Sequence, residues 1–163
     1  MERLWAPWRI AYIKKHSDAD PCFLCSAARG RRDVRTHTLL RGKRCFALLN
    51  KYPYSTGHVL VAPTAHKAAL GELDDTERLE LLTLAGEAQA ALQKAFRPDG
   101  FNLGVNLGRV AGAGLLGHLH LHVVPRWSGD TNFMPVTGAT HVMPMSLAQV
   151  DKALRKILGR TRR

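Results

Sequence analysis

The sequence predicts an α+β fold in which helices cover one antiparallel β-sheet. Two short apolar runs separated by a turn segment indicate a β-hairpin in the first half of the chain. A long helical pattern opened by a capping box follows the hairpin, and strand patterns return after it. A second capping box opens a last helix near the C-terminus. We therefore expect four strands, with a long helix between the second and the third.

Length and composition favour one domain with terminal extensions, or a domain that pairs with itself. The chain has 163 residues, of which 45% are hydrophobic and 23% are charged. Charge or proline interrupts every apolar stretch well before the ~18 residues that a membrane span needs. The N-terminus has no signal-peptide core. We expect a cytoplasmic protein without a membrane partner.

The hairpin is predicted from residues 44–49 and 58–62. Between them, residues 51–57 contain Pro53 and Gly57, which favour a turn. Cys45 alternates with core-facing neighbours in the first strand, so it is expected to be a small core side chain.

The long helix is predicted over residues 75–96. Asp74 and Glu77 have the spacing of a capping box, and Pro98 with Gly100 ends the helical pattern. The apolar stripe that we expect to face the sheet consists of Leu79, Leu82, Ala85, Gln89, Leu92 and Phe96.

The second half of the chain supplies the remaining elements. Residues 101–106 have strand character, and the glycine-rich residues 108–114 lead into a histidine-containing strand. Ser146 with Gln149 forms the second capping box. The apolar stripe of the helix that follows is Leu147, Val150, Leu154 and Ile157.

Three histidines stand at alternate positions in residues 117–126. In an extended strand, His118, His120 and His122 point to one face and the apolar residues between them to the other. Successive imidazoles are then ~6.5 to 7 Å apart, from a rise of about 3.3 Å per residue. A single phosphate-sized group can contact two of them.

Cysteine usage and charge limit the possible partners. Cys22 and Cys25 form a CxxC pair, a spacing more typical of zinc or redox sites than of a secreted disulfide framework. The formal net charge of +11, concentrated in residues 29–44 and in the tail, favours anionic partners. No recognition helix or RNA-binding pattern accompanies it, so we expect no specific nucleic-acid partner.

The pattern His-apolar-His-apolar-His-apolar-apolar at residues 118–124 resembles the signature of the histidine triad (HIT) family, which comprises nucleotide hydrolases and transferases. Residues 46–53 and 57–61 resemble the nucleoside-binding hairpin of that family, and residues 102–114 its phosphate-side loop. Residues 124–134 resemble an extension of diadenosine tetraphosphate phosphorylase-like members. Several motifs in the same order are far more specific than a lone HxHxH.

The resemblance also includes residues 4–9 and suggests a division of the chain. Residues 1–43 are the expected N-terminal extension with the CxxC motif, and residues 44–136 the HIT core domain. Residues 137–163 are the expected C-terminal helix and basic tail. Family members usually pair through the long helix and the sheet, so the resemblance implies a homodimer.

The resemblance implies a catalytic group of His58, His118, His120 and His122. His120 is the expected nucleophile, which attacks the α-phosphate of a nucleotide and forms a nucleotidyl-histidine intermediate. His122 is expected at the phosphate or the leaving oxygen, and His58 is expected to orient the triad. Imidazole suits this chemistry because it titrates near neutrality and attacks phosphorus when one ring nitrogen is free.

The resemblance assigns substrate contacts as well. Asn50 corresponds to the residue that binds the ribose hydroxyls, and Asn106 to an amide facing the phosphates. Trp127 corresponds more loosely to a residue that stacks on the base or closes the partner's site. Main-chain N–H groups near the end of the glycine-rich loop are expected to bind phosphate, at Gly112, Ala113, Gly114 and Leu115. Phosphorylase-like members often have a serine here, so phosphorolysis and hydrolysis both stay open.

A structural zinc site is a further implication of the resemblance. Cys22 and Cys25 supply two ligands, and His66 and His118 match the ligands of zinc-bearing relatives. The alternative is a reduced, metal-free thiol pair.

The expected function is cleavage of dinucleoside polyphosphates, such as diadenosine tetraphosphate, through nucleotidyl-His120. Alternatives are hydrolysis of nucleoside phosphoramidates or of adenylyl sulfate, and nucleotide binding without turnover. Simpler interpretations also stay open, since His58 can be an ordinary buried histidine and Asn50 and Asn106 can merely hold turns.

Overall fold

The computed structural model describes residues 22–30, 33–130 and 142–161. The motif at residues 4–9, the end of the extension at residues 131–134 and the terminal Arg162 and Arg163 lie outside these ranges. The described residues form helices and one antiparallel sheet, so the predicted α+β class is confirmed.

The sheet has five strands in the order β1-β2-β3-β5-β4, and all neighbouring strands are antiparallel. The elements in chain order are α1 (Phe23–Arg29), α2 (Asp33–Thr36), β1 (Thr38–Arg41), β2 (Cys45–Leu49), β3 (Val59–Pro63), a 3-10 turn at Leu70–Glu72, α3 (Asp75–Phe96), β4 (Gly100–Val105), β5 (Leu121–Arg126) and α4 (Leu147–Thr161).

The prediction of four strands was wrong by one, because β1 was missed. This strand has only four residues, lies in a basic stretch and shows no clear alternation. It forms through its pairing with β2 and through α1, which was also missed. Arg41 on β1 donates to the carbonyl oxygens of Ala27 and Gly30 at the C-terminal end of α1, each at 2.8 Å.

Different elements pack against the two faces of the sheet. One face, with Ala47 and Val61, packs against α3 and α4 in the main core. The other face, with Phe46, Leu48 and Leu60, packs against Leu24 of α1 in a smaller cluster. Cys45 is 1% exposed in the main core, as expected.

The long helix α3 has the predicted bounds and the predicted capping box, because Asp74 accepts from the Glu77 N–H and Glu77 accepts from the Asp74 N–H. The predicted stripe was partly wrong, since Leu79 and Leu82 are 69% and 62% exposed. The helix is apolar on more than one side, so periodicity alone did not select a face. The buried face is instead Leu81, Leu84, Ala85, Ala88, Ala91 and Leu92.

The C-terminal helix α4 also follows its prediction. Ser146 and Gln149 form the expected reciprocal contacts, and Val150 and Leu154 are buried against α3 and β1. Among the described residues, no helix has both the length and the apolar character needed to cross a membrane.

Candidate active site

The three alternating histidines do not form a uniform row. Strand β5 begins at Leu121, so His118 and His120 lie in the segment before it and only His122 lies within it. The rings of His120 and His122 are 4.9 Å apart, whereas the ring of His118 lies 5.0 Å from that of His66. All three side chains are buried. The structure therefore divides the triad into a pair and a single ring.

Sheet pairing determines where His122 points. It lies opposite Leu60 on β3 and Gly104 on β4, in the middle of the sheet. Paired residues share a face, so His122 lies on the face of Leu60, away from α3. His58 immediately precedes β3 and its ring is on this face too, 5.1 Å from the His122 ring.

The hydrogen bond of His120 defines its tautomer. Its Nδ1 lies 2.9 Å from the carbonyl oxygen of His118, and a carbonyl oxygen can only accept. Nδ1 therefore carries the proton, and Nε2 keeps its lone pair. Burial lowers the pKa of His120, which favours the neutral ring. The His120 side chain lines a large cleft, so a neutral imidazole with an unprotonated nitrogen is available to a molecule bound in that cleft.

His58 and His122 are joined by a hydrogen bond of 2.9 Å between His58 Nε2 and His122 Nδ1. His58 Nδ1 accepts from the Tyr54 N–H at 3.1 Å and lies 3.2 Å from Asn50 Nδ2. Because Nδ1 is an acceptor, Nε2 carries the proton of the neutral ring and donates it to His122. Burial and the neighbouring His122 and His120 lower the pKa of His58 to about 3. His58 is thus neutral near pH 7.

A cleft of about 1060 Å³ lies over the His120–His122 pair. Most of the predicted substrate-binding residues line it, namely Asn50, Asn106, Gly112, Gly114, Leu115 and Trp127. Ala113 is not a lining residue and is 7% exposed. The Asn106 amide lies 3.5 Å from His122 Nε2 through its Nδ2. The O and N positions of an amide exchange by a flip, so Oδ1 can take this place and accept from a protonated Nε2.

The glycine-rich loop uses some of its own donors. The Gly112 N–H donates to the Arg109 carbonyl at 3.0 Å, and the Ala113 N–H donates to the Gly108 carbonyl at 3.2 Å. Gly108 and Gly112 have φ values of +84° and +88°, which glycine adopts without strain. The amides that follow, at residues 114–116, are the better candidates for contacts with phosphate.

Sequence reasoning missed several residues of the cleft. Tyr54 was interpreted only as part of a turn, yet its ring lies against both His58 and His122. Phe23 stands between Cys22 and Cys25 and lines the cleft. Residues 142–145, which precede α4, also line it. The aromatic residues in the turn were the one available signal, and the wall at residues 142–145 depends on tertiary packing.

The predicted zinc ligands lie together. One donor atom from each of Cys22, Cys25, His66 and His118 falls within 4.8 Å of all the others. Cys22 Sγ is 3.3 Å from His118 Nδ1, and Cys25 Sγ is 3.1 Å from His66 Nδ1. Tetrahedral zinc with ordinary bond lengths separates its sulfur and nitrogen ligands by about 3.5 Å. These residues therefore fit a zinc ion with little rearrangement.

His118 has the tautomer that a metal ligand needs. Its Nε2 lies 2.8 Å from the Pro63 carbonyl oxygen, so Nε2 carries the proton and Nδ1 presents its lone pair to the two sulfurs. A hydrogen bond from the other ring nitrogen to a carbonyl is the usual support of a metal-bound histidine. Burial lowers the pKa of His118, which favours the neutral, ligating ring.

This fold and site define a class of protein. The family model described as HIT domain matches residues 31–129, and the chain belongs to this family. The phosphorylase named AP-4-A phosphorylase from Mycobacterium tuberculosis is 37% identical over 161 residues, covering 94% of this chain and 83% of the relative. The relationship supports a HIT-type enzyme that acts on nucleotides.

Two further comparisons extend this result. Adenosine 5'-monophosphoramidase hnt1 from Schizosaccharomyces pombe is 31% identical over 105 residues, covering 64% of this chain and 74% of the relative. A Zn-bound histidine triad family protein from Mycobacterium smegmatis has a similar structure with a TM-score of 0.67, at 21% identity. The alignment covers 86% of this chain and 95% of that protein. At that identity the structural likeness concerns the fold alone.

Proposed function

We propose that this protein cleaves dinucleoside polyphosphates through a nucleotidyl-His120 intermediate. The observation that carries the proposal is the hydrogen bond from His120 Nδ1 to the His118 carbonyl, which leaves Nε2 unprotonated at the cleft. A neutral imidazole held in this tautomer is ready to act as a nucleophile without first losing a proton.

The reaction proceeds in two displacements. His120 Nε2 forms a bond to the α-phosphorus, and the bond between that phosphorus and the bridging oxygen breaks, so the electron pair leaves with the departing phosphate. In the second step an oxygen of water or of inorganic phosphate forms a bond to the same phosphorus. The bond from phosphorus to His120 Nε2 breaks, its electron pair returns to Nε2, and the proton of an attacking water passes to solvent. His122 and the loop at Gly112, Gly114 and Leu115 line the same cleft and would donate hydrogen bonds to the charged oxygens.

Similarity to AP-4-A phosphorylase supports a dinucleoside tetraphosphate as the substrate. The cleft volume of about 1060 Å³ exceeds the few hundred Å³ at which ordinary small-molecule sites begin. Asn50 at the cleft supports a ribose contact, since an amide can both donate to and accept from a diol. Phosphorylase-like members often have a serine near the end of the loop, where this chain has Ala113, Gly114 and Leu115, so water and phosphate are both acceptors to be tested.

The test is to incubate the protein with diadenosine tetraphosphate, with and without inorganic phosphate, and to identify the products by mass. AMP with ATP indicates hydrolysis, while ADP with ATP that appears only with phosphate indicates phosphorolysis. His120→Ala should abolish turnover and covalent labelling. His37→Asn is the matched control. His37 lies beside Asp151 of α4 and does not line the cleft, and asparagine tolerates its φ of +54°. Full turnover by His120→Ala contradicts the proposal.

A second candidate reaction is hydrolysis of a nucleoside phosphoramidate. The 31% identity to the fission-yeast monophosphoramidase favours it, and His120 would serve as the nucleophile in this reaction as well. Relative kcat/KM values for diadenosine tetraphosphate, an adenosine phosphoramidate and adenylyl sulfate distinguish the candidates. Binding of all three without product would instead indicate a nucleotide-binding protein.

A structural zinc ion is also part of the proposal. Cys22, Cys25, His66 and His118 would hold it, and it would tie α1 to the segment that precedes β5. Metal analysis after purification without chelator should find about one zinc ion per chain, from the four-ligand geometry. Cys25→Ser should lower this stoichiometry strongly, whereas Cys45→Ser is a control at a cysteine in the main core. Zinc far below one ion per chain in the unaltered protein would refute the site.

We further propose that the protein is a homodimer. Leu79 and Leu82 are exposed one turn apart on α3, and β4 is an edge strand whose residues are exposed or half-buried. Sedimentation velocity should give twice the chain mass, and Leu82→Glu should shift the equilibrium to the monomer. A monomer at micromolar concentration in the unaltered protein would contradict this proposal.

A further inference from the structure

The turn between β2 and β3 lies directly against the histidine pair. Tyr54, in the middle of this turn, lines the cleft and is 37% exposed. The same residue makes one main-chain and two ring contacts with His58 and His122. These contacts restrain the orientation of both rings. The orientation of the rings decides which of the two histidines donates in the hydrogen bond between them.

The main-chain contact selects the tautomer of His58. The Tyr54 N–H can only donate, so His58 Nδ1 must accept at 3.1 Å. Asn50 supports the same assignment from the other side. Its Oδ1 accepts from the Tyr52 N–H at 2.9 Å, which turns its Nδ2 toward His58 Nδ1 at 3.2 Å. Two donors therefore converge on one ring nitrogen, and the His58 proton lies on Nε2.

The ring contact restrains His122. The Tyr54 and His122 rings are stacked, with centroids 5.5 Å apart and planes 19° from parallel. The Tyr54 ring also lies 4.6 Å from the His58 ring, tilted by 37°. A stacked neighbour opposes rotation of the imidazole plane, because rotation loses the offset-stacked contact. Terminal torsions of histidine are otherwise broad, so this restraint is not provided by the side chain itself.

These contacts give the hydrogen-bond chain a direction. His58 Nε2–H donates to His122 Nδ1, so the proton of a neutral His122 lies on Nε2. His122 Nε2 lies on the side of Asn106 and the cleft. A proton there can be donated to a phosphate or leaving-group oxygen, whereas a flipped ring would present a lone pair to an anion.

We propose that Tyr54 is a positioning residue, whose ring keeps His122 in the orientation that directs Nε2–H into the cleft. The proposal deepens the nucleotidyl-transfer function and depends on it for its kinetic consequence. Its spectroscopic consequence concerns the free protein and does not depend on any substrate. Failure of the two proposals is therefore distinguishable.

The test compares Tyr54→Leu, Tyr54→Phe and Tyr52→Leu. Leucine at position 54 keeps the main-chain N–H and removes the aromatic ring, while phenylalanine keeps the ring. Tyr52→Leu removes the other tyrosine ring of the turn and keeps its main-chain N–H on Asn50. Because Tyr52 also lines the cleft, this variant measures what the loss of an aromatic cleft wall alone does. Long-range ¹H–¹⁵N spectra report which ring nitrogen of His122 carries the proton. Steady-state kinetics with diadenosine tetraphosphate report kcat and KM.

In the unaltered protein, we expect His122 to have a protonated Nε2 and an unprotonated Nδ1. Tyr54→Leu should move both ¹⁵N shifts of His122 toward the average of its two tautomers. It should also lower kcat about threefold to tenfold, the range that loss of one aromatic contact implies. KM should change by less than about twofold, because the ring acts on His122 and not on bound substrate. Tyr54→Phe should restore the shifts and kcat.

Three results would overturn the inference. Unchanged ¹⁵N shifts with a raised KM in Tyr54→Leu would make the ring a wall of the substrate cleft only. An equal change in Tyr52→Leu would assign the effect to the turn as a whole. A protonated Nδ1 on His122 in the unaltered protein would reverse the hydrogen-bond chain. If His120→Ala keeps full activity while the spectra behave as expected, only the proposed reaction fails.

Discussion

Acid should destabilise this protein through His58, and the size of the effect follows from its pKa. Burial and the neighbouring His122 and His120 lower the pKa from 6.5 to about 3 in the folded chain. The unfolded chain therefore binds the extra proton first as the pH falls. The stabilising contribution is complete above pH 6.5 and is lost progressively between pH 6.5 and pH 3. At pH 5, about 1.5 pH units below the unfolded pKa, the loss is about 2 kcal/mol.

His58→Gln isolates this contribution. Glutamine does not titrate, and its amide can still donate to His122 Nδ1. Urea unfolding at pH 8 and pH 5 gives the change in the free energy of unfolding for each protein. Burial also lowers the pKa of His118 and His120, so both proteins lose stability in acid. The unaltered protein should lose about 2 kcal/mol more than the variant. An equal loss in both, or a larger one in the variant, would refute a neutral buried His58.

Four further substitutions test the fold. Gly57→Ala should cost about 2 kcal/mol in thermal unfolding, because the residue has a φ of +83° and the new Cβ would lie 2.8 Å from the buried Leu92 Cδ2. Gly86→Ala, on an open side of α3, should instead stabilise by up to about 1 kcal/mol. Ser146→Ala should cost about 1 kcal/mol by removing the N-cap of α4, measured by urea unfolding. Glu80→Ala should cost about 2 kcal/mol, since its carboxylate accepts hydrogen bonds from three main-chain N–H groups near the start of β2. An unchanged midpoint of urea unfolding in this variant would contradict the expectation.

Local chemistry explains which elements could be predicted from the sequence. A capping box is a contact between residues three apart, so Asp74 with Glu77 and Ser146 with Gln149 locate both helix starts without tertiary information. Strand β1 depends on pairing with β2, and the seven-residue helix α1 depends on packing and on Arg41 at its C-terminal end. Neither dependence leaves a strong periodic signal.

The buried face of α3 was also difficult to predict from the sequence. Leucines occur at positions 79, 81, 82 and 84, so apolar residues surround much of the helix. Alanines at positions 85, 88 and 91 decide the buried face, because small side chains let the helix lie close to β2, β3 and β5. Periodicity of hydrophobicity weights leucine above alanine and therefore favoured a face that is partly exposed.

The candidate site was predictable where residue types are distinctive. Histidines and a CxxC pair indicate chemistry by their identity, so the two clusters could be proposed before the fold was known. Tyr54 has no such identity, and its position against His58 and His122 arises from the conformation of the turn. The start of β5 at Leu121 was also hidden, although alternation correctly gave the apolar core positions Leu119, Leu121 and Val123.

His118 joins the two clusters into one unit. Its Nδ1 lies among the cysteine sulfurs, its Nε2–H donates to the Pro63 carbonyl, and its own carbonyl accepts from His120 Nδ1. The ring contacts restrain the peptide that carries this carbonyl, and the carbonyl in turn holds the tautomer of His120. The chain thus uses alternate histidines for different purposes. In the proposed function, His118 orders the backbone so that His120 presents an unprotonated nitrogen in the cleft.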